Sequence, residues 1–282
     1  MAEAAAIYQR YSDNVARLAT ITIETGVDPG DANYGPAALV DDNPAKVAKI
    51  DSLTGAWQFA YAAKQPVALV GLVHHDFDAG ANVKIQGDDG PNWAAPAFSA
   101  AITIPAWLGS GTRRWPVNPR LDLTEADGYD EEGWQYYRLL VTTNSQNVQL
   151  GQAWLGETIR RLDPHLHWKR QHTNAKRYIR NRTAYDVETI YSRGTNLWRL
   201  EGTHGRADAL QALLEAQWFD VDGAALPWLF VPNSLENRCY LVRWGDEARA
   251  ETQLVGPPSL SESLWEQRLV IAEVARGLRP GV

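Results

Sequence analysis

The sequence predicts a mainly β protein: an all-β sandwich or jelly roll, followed by a second, mostly β domain that carries one helix. Three observations lead there. Apolar and polar residues alternate over strand-length runs, as at Trp57, Phe59 and Tyr61. Turn formers, with 22 Gly and 15 Pro, punctuate those runs. Nothing resembles a repeated βαβ unit. A chain of 282 residues is long enough for two domains and needs no disulfide or metal merely to fold.

Residues 1–19 read as an N-terminal arm, and residues 20–158 as the sandwich. The early Gly/Pro/Asp/Asn-rich GVDPGDANYGP favours turns over a continuous helix. A strand with half-buried alternation follows at Trp57, Phe59 and Tyr61. After the Lys64–Gln65–Pro66 turn, VALVGLVHHDF is so continuously apolar that burial on both faces is expected. Asp78–Ala79–Gly80 turns the chain, and NVKIQG resumes alternation through Val83 and Ile85. Residues 87–133, rich in Gly, Pro, Asp and Trp, suit long loops at one end of a sandwich. WQYYRLLVTT is again strand-like. VQLGQAWLGE, beyond the turn at Asn144–Asn147, is read with Val148, Leu150, Gln152 and Trp154 on one face.

Residues 159–282 form the second predicted domain. Tyr185, Val187, Thr189 and Tyr191 alternate as a strand, and another contains Trp198 and Leu200. GRADALQALLEAQW, residues 205–218, places Leu210, Leu213, Leu214 and Trp218 on one helical face. PWLFVP, RCYLVRWG and LWEQRLVIAEV supply three more strands.

Charge and composition exclude several function classes. With 27 Lys and Arg against 34 Asp and Glu, the net charge of −7 disfavours nucleic acid as a whole-chain partner. The exception is residues 169–182, which hold six Lys or Arg and no acid. Lys169, Arg170 and Arg177 there could hold a phosphate or a nucleic-acid backbone, although an electrostatic contact between subunits is favoured. Cys239 is the only cysteine, which excludes an intrachain disulfide framework and a cysteine zinc cluster. The start lacks a cationic segment followed by an apolar run, so no secretory signal is expected. No apolar stretch approaches 18 residues, so membrane insertion by a helix is not expected.

Catalytic residues are not predicted. His74 and His75, near Asp76 and Asp78, could ligate a metal, but adjacent strand residues point to opposite faces. His165, His167 and His172 lie beside Lys169 and Arg170, which oppose cation binding. Asp41, Asp42 and Asn43 could gather oxygens around a structural calcium, yet the spacing is not that of an EF-hand and a plain turn is favoured. Beyond that calcium no cofactor is expected. Glycosidase chemistry needs two carboxylates across a cleft, and Asp76, Asp78, Glu131, Glu132 and Glu157 are not separable from surface acids. No nucleophile elbow or zinc-protease motif occurs. Among the 12 Trp, the loop candidates Trp93, Trp107, Trp115 and Trp134 could stack on sugars; anchoring loops or an interface is favoured.

The stretch LVDDNPAKVAKI…WQFAYAAKQPVALVGLVHHDFDAGANVKIQG resembles the galactose-binding-like, or discoidin-like, jelly rolls of tailed-bacteriophage virion proteins. The resemblance rests on the D-D-N-P loop at 41–44, on Trp57, on the pattern from Val67 to Gly80 and on the closing LGQAWLGE. The segment from ADALQALLEAQW to LWEQRLVIAEV is similar to terminal β domains of phage tail and baseplate proteins, ending at Glu273. Free-standing discoidin domains usually carry a disulfide that this chain lacks, and no sugar site transfers to any residue.

The resemblance implies a structural protein of the virion tail or tail tip, assembled in the bacterial cytoplasm, without enzymatic activity. Its partners would be other tail proteins and copies of itself in a trimeric or hexameric ring. The alternative is a carbohydrate-binding module that attaches to a host glycan.

Overall fold

A computed structural model describes residues 7–31, 34–41, 46–106, 108–110, 113–115, 117–161, 167–173, 181–182, 188–189, 195–204, 226–244, 251–255 and 264–273. The architecture is mostly β, multi-sheet and jelly-roll-like, and the helical turns among the described residues are short 3-10 segments. The helix expected at 205–218 lies outside the described residues. Two compact units result, one holding Met1–Leu162 and Trp228–Leu241, the other Asp163–Pro227 and Val242–Ala275.

In the first unit, the strands in chain order are β1 (Ile7–Gln9), β2 (Thr20–Thr25), β3 (Ala48–Ile50), β4 (Gly55–Gln65), β5 (Leu69–His75) and β6 (Asn82–Asp88). They continue with β7 (Phe98–Ile102), β8 (Leu108–Ser110), β9 (Arg113–Trp115), β10 (Arg120–Asp122), β11 (Trp134–Thr143), β12 (Val148–Gly156) and β13 (Arg160–Arg161). A five-stranded antiparallel sheet runs β2-β4-β11-β6-β7, and a four-stranded one runs β10-β5-β12-β3. Between them lies the core, where Trp57, Phe59, Tyr137, Leu139, Ile85, Val70, Leu72 and Leu155 are buried together. The residues 87–133, expected as loop, also contain β7, the β8–β9 hairpin and β10.

The expected burial of β5 on both faces holds, since all seven of its residues are buried. One face meets the core. Over the other, a Cβ at Gly71 would lie 3.2 Å from Leu229 and 3.3 Å from Cys239. Those two residues come from the segment that opens with β18 (Trp228–Val231), which pairs antiparallel with β1. Arg120 secures the segment by donating from Nε to the Glu236 carbonyl at 2.9 Å and from Nη2 to that of Ser234. Burial lowers the Arg120 pKa and pushes the Cys239 thiol up to about 12.

Within the stretch read as an N-terminal arm, Ile7 and Tyr8 are buried, and Val15 and Ala16 join the core cluster. Asp13 fixes this stretch through two 3.0 Å bonds from Arg160 and a 2.8 Å bond from the Arg10 N–H.

One register expectation is corrected. Val148 and Leu150 share the core with Ala153 and Leu155, whereas Trp154, expected on their face, is buried outside that cluster. The pleat therefore reverses between Leu150 and Ala153. Opposite this point His74 takes φ 60, the left-handed region, inside β5. Gly151 accommodates it, because a Cβ there would come within 2.8 Å of the His74 Cβ.

The second unit contains β14 (His167–Thr173), the two-residue strands β15 (Asn181–Arg182) and β16 (Glu188–Thr189), β17 (Thr195–His204), the end of β19 (Tyr240–Trp244), β20 (Glu251–Val255) and β21 (Leu264–Glu273). β21 pairs with β17, β19 and β20, and β17 also pairs with β14. The strands expected around Trp198 and in LWEQRLVIAEV are therefore present. Of the run from Tyr185 to Tyr191, Glu188–Thr189 is described, as β16.

Candidate functional site

Strand alternation builds a polar face on the outside of the five-stranded sheet. In β4, Trp57, Phe59 and Tyr61 enter the core, which turns Gln58 outward; in β11, Tyr137 and Leu139 do the same for Arg138. Register then aligns one transverse row: Thr22 opposite Gln58, Gln58 opposite Arg138, Arg138 opposite Gln86, and Gln86 opposite Ser99. Arg138 Nε donates to Gln86 Oε1 at 2.8 Å, and Gln86 Nε2 donates to Ser99 Oγ at 3.4 Å. Arg138 Nη1 reaches Glu24 Oε2 at 3.4 Å.

The loop between β6 and β7 folds over this row. Asp88 ties both of its ends, accepting from the Gly90 N–H at 2.9 Å and the Ala97 N–H at 3.0 Å. At its middle Trp93 is half-buried. Its Nε1 donates to Gln58 Oε1 at 3.1 Å, and the Arg138 guanidinium carbon lies 4.8 Å from the ring centroid. Arg138 Nη2 also reaches the Trp93 carbonyl at 3.5 Å. Cation–π stacking and one hydrogen bond thus hold the indole in a single orientation.

Such a surface suits sugars chemically. A fixed, partly exposed indole accepts the C–H face of a pyranose, while amide, guanidinium and carboxylate groups around it exchange hydrogen bonds with hydroxyls. Acid–base chemistry is a poorer match. Glu24 is committed to Arg138 and Asp88 to backbone N–H groups.

The remaining candidates are scattered. Trp134 lies on the opposite side of the sheet from Trp93, packed at the core margin, where a Cβ on Gly87 would strike its ring at 2.2 Å. Lys64 Nζ stands 5.5 Å from the Trp134 centroid. Trp115 sits in β9 opposite Leu108, and Trp107 lies outside the described residues. Lys169 and Arg170 are in β14, opposite Arg199 and Trp198; Arg177 lies outside the described residues. Asp41 is paired with Lys46 at 2.5 Å, and Asp42 and Asn43 lie outside the described residues. Among the described residues no group of three or more His, Cys, Asp or Glu is placed to hold a metal ion.

The two histidines do not point simply to opposite faces as expected, because the left-handed His74 breaks the alternation and both are buried. His75 accepts from the Phe77 N–H at Nδ1, 3.0 Å, and Nε2 lies 2.9 Å from the Val117 carbonyl. Those partners assign the proton to Nε2 and give the ring a packing role, stacked 5.0 Å from Phe77. Asp78 accepts from the Ser145 N–H at 2.8 Å, tying together the loops that follow β5 and β11.

Sequence reasoning named Trp93 but missed Gln58, Gln86, Arg138 and Glu24. The available signal was a polar residue at each outward position of strands whose inward positions are large and apolar.

No family model and no curated protein matches this chain. Among solved structures it is similar to a GH29 fucosidase of Ruminococcus gnavus in complex with fucose, with 12% identity and TM-score 0.36, covering 53% of this chain but 27% of the fucosidase. It is also similar to the Clostridium perfringens module CpGH89CBM32-6, with 11% identity and TM-score 0.32 over 51% of this chain and 94% of the module. A third is the lectin domain of Lectinolysin complexed with Lewis B antigen, at 13% identity and TM-score 0.35 over 52% of this chain and 98% of that domain. Similarity at this level carries no information about ligand or activity.

Proposed function

We propose that the first unit is a carbohydrate-binding module and that the Trp93 face is its contact surface. The observation that supports this is the held indole: Gln58 at its nitrogen and Arg138 over its ring leave a partly exposed aromatic surface ringed by hydrogen-bonding groups. A platform already fixed in the free protein loses little conformational entropy when a ligand docks. The module binds without turnover. Host attachment from a phage tail belongs to the same proposal and rests on the sequence resemblance alone. No described residue favours the tail-assembly role over sugar binding.

A glycan array followed by titration calorimetry tests it. Saturable binding with Kd of about 1 mM or tighter is expected for at least one glycan. Trp93→Ala should weaken it by about 2 kcal/mol, near thirty-fold, with the fold retained. Absence of saturable binding across the array, or binding indifferent to Trp93→Ala, refutes the proposal.

A further inference from the structure

β2 is the end strand of the five-stranded sheet and, among the described residues, pairs on one side only, with β4. Its sequence, TITIET, is dominated by β-branched residues, which favour strand pairing. Edge strands are commonly protected by Lys or Pro, and β2 has neither. Its one charged side chain, Glu24, is engaged by Arg138. Among the described residues, no backbone hydrogen bond reaches β2 apart from its ladder with β4. The register with β4 is regular from Thr20 to Ile23 and shifts between Ile23 and Thr25, so a bulge at Glu24 bounds the run. The opposite edge, β7, reads FSAAI and has weaker pairing residues at its centre.

We infer that β2 pairs antiparallel with β2 of a second copy, about a two-fold axis that sets Thr22 opposite Thr22. Parity puts the two-fold on a residue, and Thr22 is the centre that uses the whole run from Thr20 to Glu24. Two sheets that join with their core faces on the same side must match inward with inward residues. Centring on Thr22 sets Ile21 against Ile23 on the inward side and Thr20 against Glu24 on the outward side. Each like-charged Glu24 then faces a threonine instead of its own copy. The contact is isologous and closes at two subunits, unlike the ring expected from sequence. It also extends the polar row across both copies. Five strand spacings separate one Arg138 from the other, about 24 Å. The pairing itself does not depend on sugar binding; if the Trp93 face binds glycans, that spacing presents two sites on one surface.

Sedimentation of the full chain from about 10 µM to about 1 mM tests the pairing, because a contact this small dissociates in that range. The wild type should pass from monomer to dimer. Thr22 is exposed, so Thr22→Lys and Thr22→Glu should each fold, checked by circular dichroism. Each alone puts like charges directly opposite and should stay monomeric, while an equimolar mixture should recover dimer at or below the wild-type concentration. A wild type that is monomeric throughout, an assembly larger than two, a dimer retained by both single variants, or a mixture that stays monomeric overturns the inference.

Discussion

Replacing Arg138 with Met tests whether the polar row is a built structure. Arg138 is 9% exposed, and Met keeps the length of its stem while removing the guanidinium. Gln86 Oε1 loses its 2.8 Å donor in a buried setting, costing about 1–3 kcal/mol. The stack under Trp93 contributes about 0.5–2 kcal/mol. The 3.4 Å pair with Glu24 is partly solvated and counts for less than about 1 kcal/mol. Relief of guanidinium desolvation offsets part of this. The net loss is about 2–3 kcal/mol, and at about 2–4 °C per kcal/mol for a unit of this size the midpoint should fall roughly 5–10 °C. Thermal unfolding followed by far-ultraviolet circular dichroism reads that shift, and near-ultraviolet indole signals report release of Trp93. Gln86→Met made in the Arg138→Met background should cost at least about 1 kcal/mol less than in the wild type, because the bond is already gone. A midpoint within about 2 °C of wild type, or strictly additive losses, refutes the reasoning.

Two further predictions concern the frame that carries this face. Gly133 has φ +72, and a Cβ there would lie 2.0 Å from the Gln65 carbonyl oxygen, whereas Gly30 has φ +67 with nothing within 4 Å. Gly30→Ala should therefore cost only the left-handed penalty, about 1–2 kcal/mol, and Gly133→Ala clearly more; equal losses in urea unfolding would contradict the clash. Burial raises the Cys239 thiol from its usual value near 9.0 to about 12, so the folded state holds its proton where the unfolded chain releases it. Stability should be level with pH below about 9, then fall by about 1.4 kcal/mol per unit as pH rises toward 12. Cys239→Ala should flatten that slope between pH 9 and 10, before the unfolded chain begins to release protons from tyrosines such as Tyr61 and Tyr137 that the fold keeps protonated, and an unchanged slope would refute the assignment.

Where one strand's pattern decides its own environment, the fold is readable in the chain. WQYYRLLVTT is β11 as read, and the continuous apolar run before His74 marks a strand buried on both sides. What the run does not say is what covers its second face. That cover is the segment around Leu229 and Cys239, more than 150 residues later, and long-range pairing leaves no periodic trace in either partner. The phase of β12 departs from its sequence pattern for a related reason. Alternation assumes an unbroken pleat, and a histidine gives no warning of a left-handed residue. Gly151 was the one sign, since glycine inside a strand often marks close backbone approach.

The same logic separates the tryptophans. Sequence could count aromatic residues in loop-like stretches, but what divides Trp93 from Trp134 is where the neighbouring strands point. Trp134 begins β11, where a bulge before Tyr136 shifts the register, and it settles against the space left by Gly87, whose neighbours Val83 and Ile85 define the inward side. Trp93 comes from a loop between β6 and β7 and can reach only the outward side, where Gln58 and Arg138 already stand. An indole over an outward polar row has a donor to satisfy and a cation to stack on, so it stays at the surface. One over an inward gap is drawn into the core by burial of its ring. The polar residues between Trp57 and Phe59 and between Tyr137 and Leu139 therefore mark the face that holds Trp93, and the tryptophan alone does not.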